Sequence, residues 1–187
     1  MNASHFINIR ALFMAVILGL PGILIAQEIA PAMPVNHETN IITYQDVVKV
    51  DGLKKDLFNR AIEWINVYYK NPADVTKVRN PENGFIEIFH RFDLHRIDDK
   101  GNKIDAGIVV YTLRLALKDG RYKYTLTDMS LKQSSRYPIE RWLDKTDQAY
   151  NPNYDLYLSQ VDKQVKTLIE SLKKGMLPGI QKKEDAW

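Results

Sequence analysis

Between Asp74 and Leu131 the chain crosses three dense turn signals, NPENG at 80–84, DDKGN at 98–102 and KDG at 118–120. Asn, Asp and Gly supply the positive φ values and the local side-chain bonds that short hairpin loops need. The stretches they separate, DVTKV, FIEIFHRFDLHRI, AGIVVYTLRLAL and RYKYTLTDMSL, are rich in β-branched and aromatic residues. Strands joined this closely pair antiparallel, so this region is predicted to be a four-stranded meander.

The flanking segments have other periods. In IITYQDVVKV, residues 41–50, Ile42, Tyr44, Val48 and Val50 fall on one face of a strand. Asp46 interrupts that apolar row, which predicts a bulge or an edge strand. After Asp51-Gly52 the apolar spacing becomes three and four: Leu57, Phe58, Ala61, Ile62, Ile65, Tyr68 and Tyr69 form a helical stripe. Asp51 is the candidate N-cap, and Asn71-Pro72 ends the helix. A second stripe, Tyr154, Tyr157, Leu158, Val161, Val165, Leu168, Leu172 and Met176, predicts a long helix from about Pro152 to Lys174. Asn151 starts it and Gly175 is its expected stop. The connection before it carries one expected helical turn at 138–143 and Trp142, read as a plug at the end of the core. The order strand, helix, four strands, helix is α+β: a single antiparallel sheet with both helices packed on one face.

Residues 41–176 make one domain on this reading, with a linker at 27–40 and a flexible tail at 177–187. The first ten residues hold one charged side chain, Arg10, and ALFMAVILGLPGILIA follows without charge. That pattern predicts a signal peptide over 1–26, cut after Ala26 or, less favourably, after Ala30. Pro21-Gly22 breaks the apolar run, which is shorter than the ~20 residues of a spanning helix. The domain is therefore expected to be exported, periplasmic or secreted, without stable membrane insertion once the signal is removed. The chain has no cysteine, which excludes both a disulfide scaffold and a lipidated N-terminal cysteine. Packing alone must hold it together, and a domain of about 150 residues buries roughly 68–70% of its unfolded surface. With 26 Lys and Arg against 23 Asp and Glu, the charge is too balanced to point to nucleic acid.

Four stretches together, PVNHETNIITYQDVVKV, LFNRAIEWI, KDGRYKYTLTD and LIESLKKGM, resemble the exported bacterial proteins of domain-of-unknown-function family 4468. The resemblance spans roughly residues 34–176. It implies a TBP-like fold, a curved antiparallel sheet with two helices on its convex side. It implies no activity, and it does not import DNA binding, because function belongs to sites and not to folds.

Motifs for chemistry are sparse. His90 and His95 are five apart on one strand and point to opposite faces, so they cannot share a metal. Asp93 and His95 share a face, where a solvated ion pair is expected. There is no cysteine nucleophile, no G-x-S-x-G elbow, no glycine-rich phosphate loop and no isolated carboxylate pair. No cofactor and no catalytic residue is assigned. What remains is a basic row. With Tyr122, Tyr124 and Leu126 facing the helices, Arg121, Lys123, Thr125 and Thr127 face out. The same alternation turns Thr112 and Arg114 outward, and Glu87, Phe89, Arg91, Asp93 and His95. Phe89, Arg91, Arg114 and Lys123 are thus candidate partner-binding residues for an anionic envelope component, such as a glycan, a lipid headgroup or an acidic protein. The competing reading is a solvated sheet face with cross-strand ion pairs. A further alternative is an envelope hydrolase with its site in the 132–152 connection.

Overall fold

The computed structural model describes residues 31–133 and 135–179. The predicted signal segment with both candidate cleavage points, and residues 180–187 of the predicted tail, lie outside the described residues. The first strands are β1 (Val35–Asn36), β2 (Ile41–Ile42) and β3 (Tyr44–Lys49), followed by helices α1 (Lys54–Tyr68) and α2 (Pro72–Val75). The meander is β4 (Thr76–Asn80), β5 (Phe85–Ile97), β6 (Lys103–Lys118) and β7 (Arg121–Leu131). The chain then forms β8 (Tyr137–Pro138), a 3₁₀ turn (Ile139–Leu143) and α3 (Asn153–Gly175).

The main sheet is antiparallel, in the order β3-β7-β6-β5-β4, with β8 pairing β7 beyond the end of β3. It has six strands rather than five, and β1 and β2 form a separate two-stranded sheet, so the expectation of one sheet is corrected. Part of the segment read as linker supplies β1. Val35 pairs with Ile42, the turn between them is tied by the Asn36 carboxamide oxygen to the Glu38 and Thr39 N–H groups, and Met33 and Val35 pack on the core. Two residues per strand is too short for period-two patterning to register in a sequence. Pro72 ends α1 only indirectly: it occupies the first position of α2, where its missing N–H costs nothing, and the Thr76 hydroxyl donates back to the Pro72 carbonyl at 2.8 Å.

Both helices lay their stripes on the same side of the sheet. Leu57, Phe58, Ala61, Trp64 and Ile65 of α1 and Leu158, Val161, Val165, Leu168 and Leu172 of α3 join Ile86, Ile88, Leu113, Leu115, Tyr122 and Leu126 in one buried cluster. The N-terminus of α1 is capped from a distance: the Asp119 carboxylate, in the β6–β7 turn, accepts from the Lys54 N–H at 2.6 Å. Asp51, the residue expected there, instead offers its carbonyl to Arg60. Asn151 does start α3, accepting the Asn153 N–H on its side chain. Gly175 lies within α3 and not beyond it, and the helix ends at Met176 with φ −84°. Its role is close approach, because a Cβ there would meet Trp64 of α1 at 2.7 Å. Asp46 breaks the apolar row of β3 because its carboxylate sits 3.5 Å from the Lys173 ammonium on α3. A second tie between these elements is buried: the Tyr44 hydroxyl donates to Asp162 at 2.7 Å, and Lys166 holds the other carboxylate oxygen.

Candidate binding surface

The strand register lays out the open face in rungs. Arg91 pairs with Val110, which pairs with Ser130; Phe89 pairs with Thr112 and Thr112 with Thr127; Glu87 pairs with Arg114 and Arg114 with Thr125; Phe85 pairs with Ala116 and Ala116 with Lys123. Phe89, Arg91, Arg114 and Lys123 therefore share the face that alternation assigns them. They do not converge. Arg91 and Lys123 are three rungs apart, roughly 20 Å along the strands at ~3.4 Å per residue.

Arg114 is committed to partners of its own. Its Nε donates to Glu87 at 2.8 Å across the β5–β6 ladder, and its Nη2 donates to Asp128 at 3.2 Å. Hydrogen bonding to Glu87, against the cost of burial, raises the guanidinium further above its ordinary range. Asp128 also receives Arg136 at 3.6 Å. It can do so because β7 bulges between Thr127 and Ser130, two residues opposing Tyr111, with Asp128 in the left-handed region at φ 57°. Thr112 and Thr127, expected to be exposed, are buried. The Thr127 hydroxyl lies 3.2 Å from that of Thr43, and the β2–β3 junction closes over it. The open face is thus interrupted in its middle: at one end Arg91, in no ion pair among the described residues, stands beside Phe89, 43% exposed, and at the other Lys123 stands opposite Val47.

That pair lies on a groove of about 940 Å³. Tyr68, Tyr69, Asn71, Asp74 and Val75 bring the end of α1 and the C-terminal half of α2 to it, while Lys132, Gln133, Ser135 and Arg136 come from the segment after β7. Five cationic side chains, Lys70, Lys77, Arg91, Lys132 and Arg136, face two carboxylates, Asp74 and Asp93. On the helix side the groove floor is aromatic. The Tyr69 and Tyr111 hydroxyls are 3.2 Å apart, His90 packs edge-on to Tyr69 at 5.0 Å, and Phe92 stacks on Tyr111 at 4.3 Å. Burial pushes both tyrosine hydroxyls well above their ordinary range and lowers the His90 imidazole, which the Arg91 charge lowers further. None of the groove residues contributed by the helices is legible as such, since their alternation in sequence reports only which side faces the core.

The 132–152 connection is built around Trp142, fully buried and stacked on Tyr154 with ring centroids 5.2 Å apart. Its carboxylates are engaged in holding the backbone and one another's elements. Asp144 accepts from Thr146, Asp147 from Ala149 and Arg141, and Glu140 from the Ile42 N–H, while Asp155 on α3 accepts from Lys145 and Tyr150 of the connection. These bonds hold Asp144, Asp147 and Asp155 below the usual carboxylate range. The expected Asp93–His95 ion pair is not formed among the described residues, and no group of three or more potential metal ligands occurs among them.

The meander with this strand order and two long helices on one face is the arrangement that comparison with known proteins identifies. A family described as "Domain of unknown function (DUF4468) with TBP-like fold" matches residues 44–132, from the first residue of β3 to just past β7. Over residues 44–132 the chain is similar to the DUF4468 family. A DUF4468 family protein from Bacteroides ovatus superposes with a TM-score of 0.62 at 11% identity, over 80% of this chain and 93% of that one. A TBP-like protein from Parabacteroides distasonis gives 0.58 at 18% identity, over 73% and 92%. At these identities the likeness establishes the fold alone. No curated protein matches the chain. The DUF4468 match ends before β8, the 3₁₀ turn and α3, so α3, which completes the core and one end of the groove, lies outside the matched segment.

Proposed function

We propose that this protein is an exported binding module whose working surface is the Phe89–Arg91 end of the open sheet face, and that its partner is anionic. The observation that carries the reading is the contrast between two arginines on one face. Arg114 is neutralised by Glu87 and Asp128, whereas Arg91 is exposed at the rim of a groove where, with Arg136 already paired to Asp128, four further cations, Arg91 included, face two carboxylates. A guanidinium without a counter-ion beside an exposed aromatic ring offers both charge attraction and apolar contact to a ligand. Export is part of the proposal, from the charged and apolar pattern of residues 1–26.

The reading is tested with fluorescent polyglutamate as the probe. Arg91→Glu should weaken binding at least tenfold, and Lys123→Glu, three rungs away, should change it less than threefold. Equal losses in both variants would show that only diffuse charge attracts the polymer, and no loss in Arg91→Glu would overturn the surface assignment. N-terminal sequencing of protein from its native cell should give Gln27. An intact Met1 would overturn export by a cleaved signal.

A further inference from the structure

Along β5 the hydrogen-bonding direction alternates, and the structure fixes which parity points where. The Gly84 carbonyl accepts from Leu117 of β6, so even-numbered residues of β5 bond toward β6 and odd-numbered residues toward the opposite edge. That opposite edge is closed at both ends. From Phe85 to Ile88 it is paired with β4, whose ladder stops at Thr76 because the chain before it coils into α2. At the far end two glutamines of α3 stand in for a strand. The Gln160 carboxamide accepts the His95 N–H at 3.0 Å and donates to the His95 carbonyl at 2.7 Å, while Gln164 donates to the Asp93 carbonyl at 3.3 Å. Between these closures lies Arg91, a groove residue whose odd parity turns its N–H and C=O toward the edge that β4 no longer covers, where no strand pairs with it among the described residues.

We propose that the groove takes an extended acidic segment of another protein as an added strand, hydrogen-bonded to the main chain of β5 at Arg91. The inference rests on the reading that the Phe89–Arg91 end is the working surface, and it adds the mode and the chemistry of recognition. An added strand alternates its side chains as β5 does. Residues on its open-face side meet Phe89, Arg91 and Asp93, and the one opposite Arg91 is a carboxylate. Residues of the other parity meet His90, Phe92 and Tyr68 and are apolar. The groove's cationic excess selects an acidic strand. A second copy of this chain is disfavoured, since antiparallel self-pairing centred here sets Arg91 against Arg91, and like charges directly opposite repel.

The probe is the peptide acetyl-Thr-Val-Glu-Val-Glu-Val-Thr-amide, fluorescently labelled, with each of its residues N-methylated in turn. Strand addition predicts a period of two: methylation at residues whose N–H faces β5 weakens binding at least tenfold, and methylation at the intervening residues changes it less than threefold. Amide exchange at Arg91 should slow at least tenfold in the complex. If Arg91→Glu loses both polyglutamate and peptide while N-methylation has no alternating effect, the anionic surface stands and strand addition is overturned. Strand addition is overturned in the same way if polyglutamate binds and the peptide does not. If Arg91→Glu retains polyglutamate, the underlying surface reading fails first. A dimer in sedimentation that is abolished by Arg91→Pro would assign the edge to a second copy and overturn the acidic partner.

Discussion

Replacing Gly175 by Ala sets two well-calibrated effects against each other. Helix propensity alone favours alanine by about 1 kcal/mol in a helix interior, and Gly175 is the last residue of α3. Packing opposes it. The new Cβ would stand 2.7 Å from Trp64 Cδ1 and 2.9 Å from its Cβ and Cγ, where carbon atoms at rest keep about 3.5–4.0 Å. Trp64 has little room to yield by the required ~0.6–1 Å. It is 5% exposed, its Nε1 donates to Ser171 at 3.1 Å, and its ring packs on Tyr68 and Tyr69 at 5.2 and 5.8 Å. Overpacking costs about 1–3 kcal/mol, and with Trp64 held on several sides the upper part of that range, about 2–3 kcal/mol, applies; less the propensity gain of about 1 kcal/mol, the expected net loss is about 1–2 kcal/mol. In urea, with a slope of roughly 2 kcal/mol per molar, the midpoint should fall by about 0.5–1 M at unchanged slope. In a Trp64→Ala background the same substitution should cost at least about 1 kcal/mol less, because the obstructing ring is gone. A neutral or stabilising Gly175→Ala in the wild-type background would refute the close approach and restore Gly175 as an ordinary helix terminator.

Tyr44→Phe removes the hydroxyl that donates to the buried Asp162 at 2.7 Å and should destabilise by about 1.5–3 kcal/mol in denaturant melts, while in an Asp162→Asn background the loss should be smaller; equal losses would mean the bond is not the cause. His90 gives a pH signature: its folded imidazole lies below the ordinary 6.5, so the unfolded chain takes up the proton more readily, and its contribution is present above about pH 6.5 and lost as pH falls below it. His90→Phe should flatten the stability profile between about pH 6.5 and the carboxylate range near 4, and an unchanged slope there would count against burial as the cause.

Strand parity is legible in the sequence because the helices cover one face of the sheet only. Ile86, Ile88, Leu113, Leu115, Tyr122 and Leu126 alternate with polar residues, and a one-residue slip would bury the charges. The stripes of α1 and α3 are legible for the same reason. What escapes the sequence depends on partners chosen across the fold. Nothing local tells Asp119 to cap α1 in place of Asp51, or Glu87 and Asp128 to claim Arg114 while Arg91 stays free. The Asp128 bulge carries only the weak signal of an Asp tolerant of positive φ. Gly175 reads as a stop because terminator and spacer glycines look alike until the neighbouring helix is in place. The groove is invisible since it exists where β4 stops short of β5's full length, and a strand's length reports nothing about its neighbour's.

The order of strands also dictates an order of events. β3 and α1 leave the ribosome first, yet β3 pairs with β7, and the bonds that fasten this N-terminal portion reach partners 84, 98 and 118 residues downstream. Closing loops of that size costs entropy before any contact repays it, and topologies dominated by such pairings fold in milliseconds to seconds rather than microseconds. Until residue 126 has been synthesised, β3 has no complete partner strand and cannot join the main sheet. A protein so wired cannot close its main sheet at the β3 edge until nearly all of its strands exist.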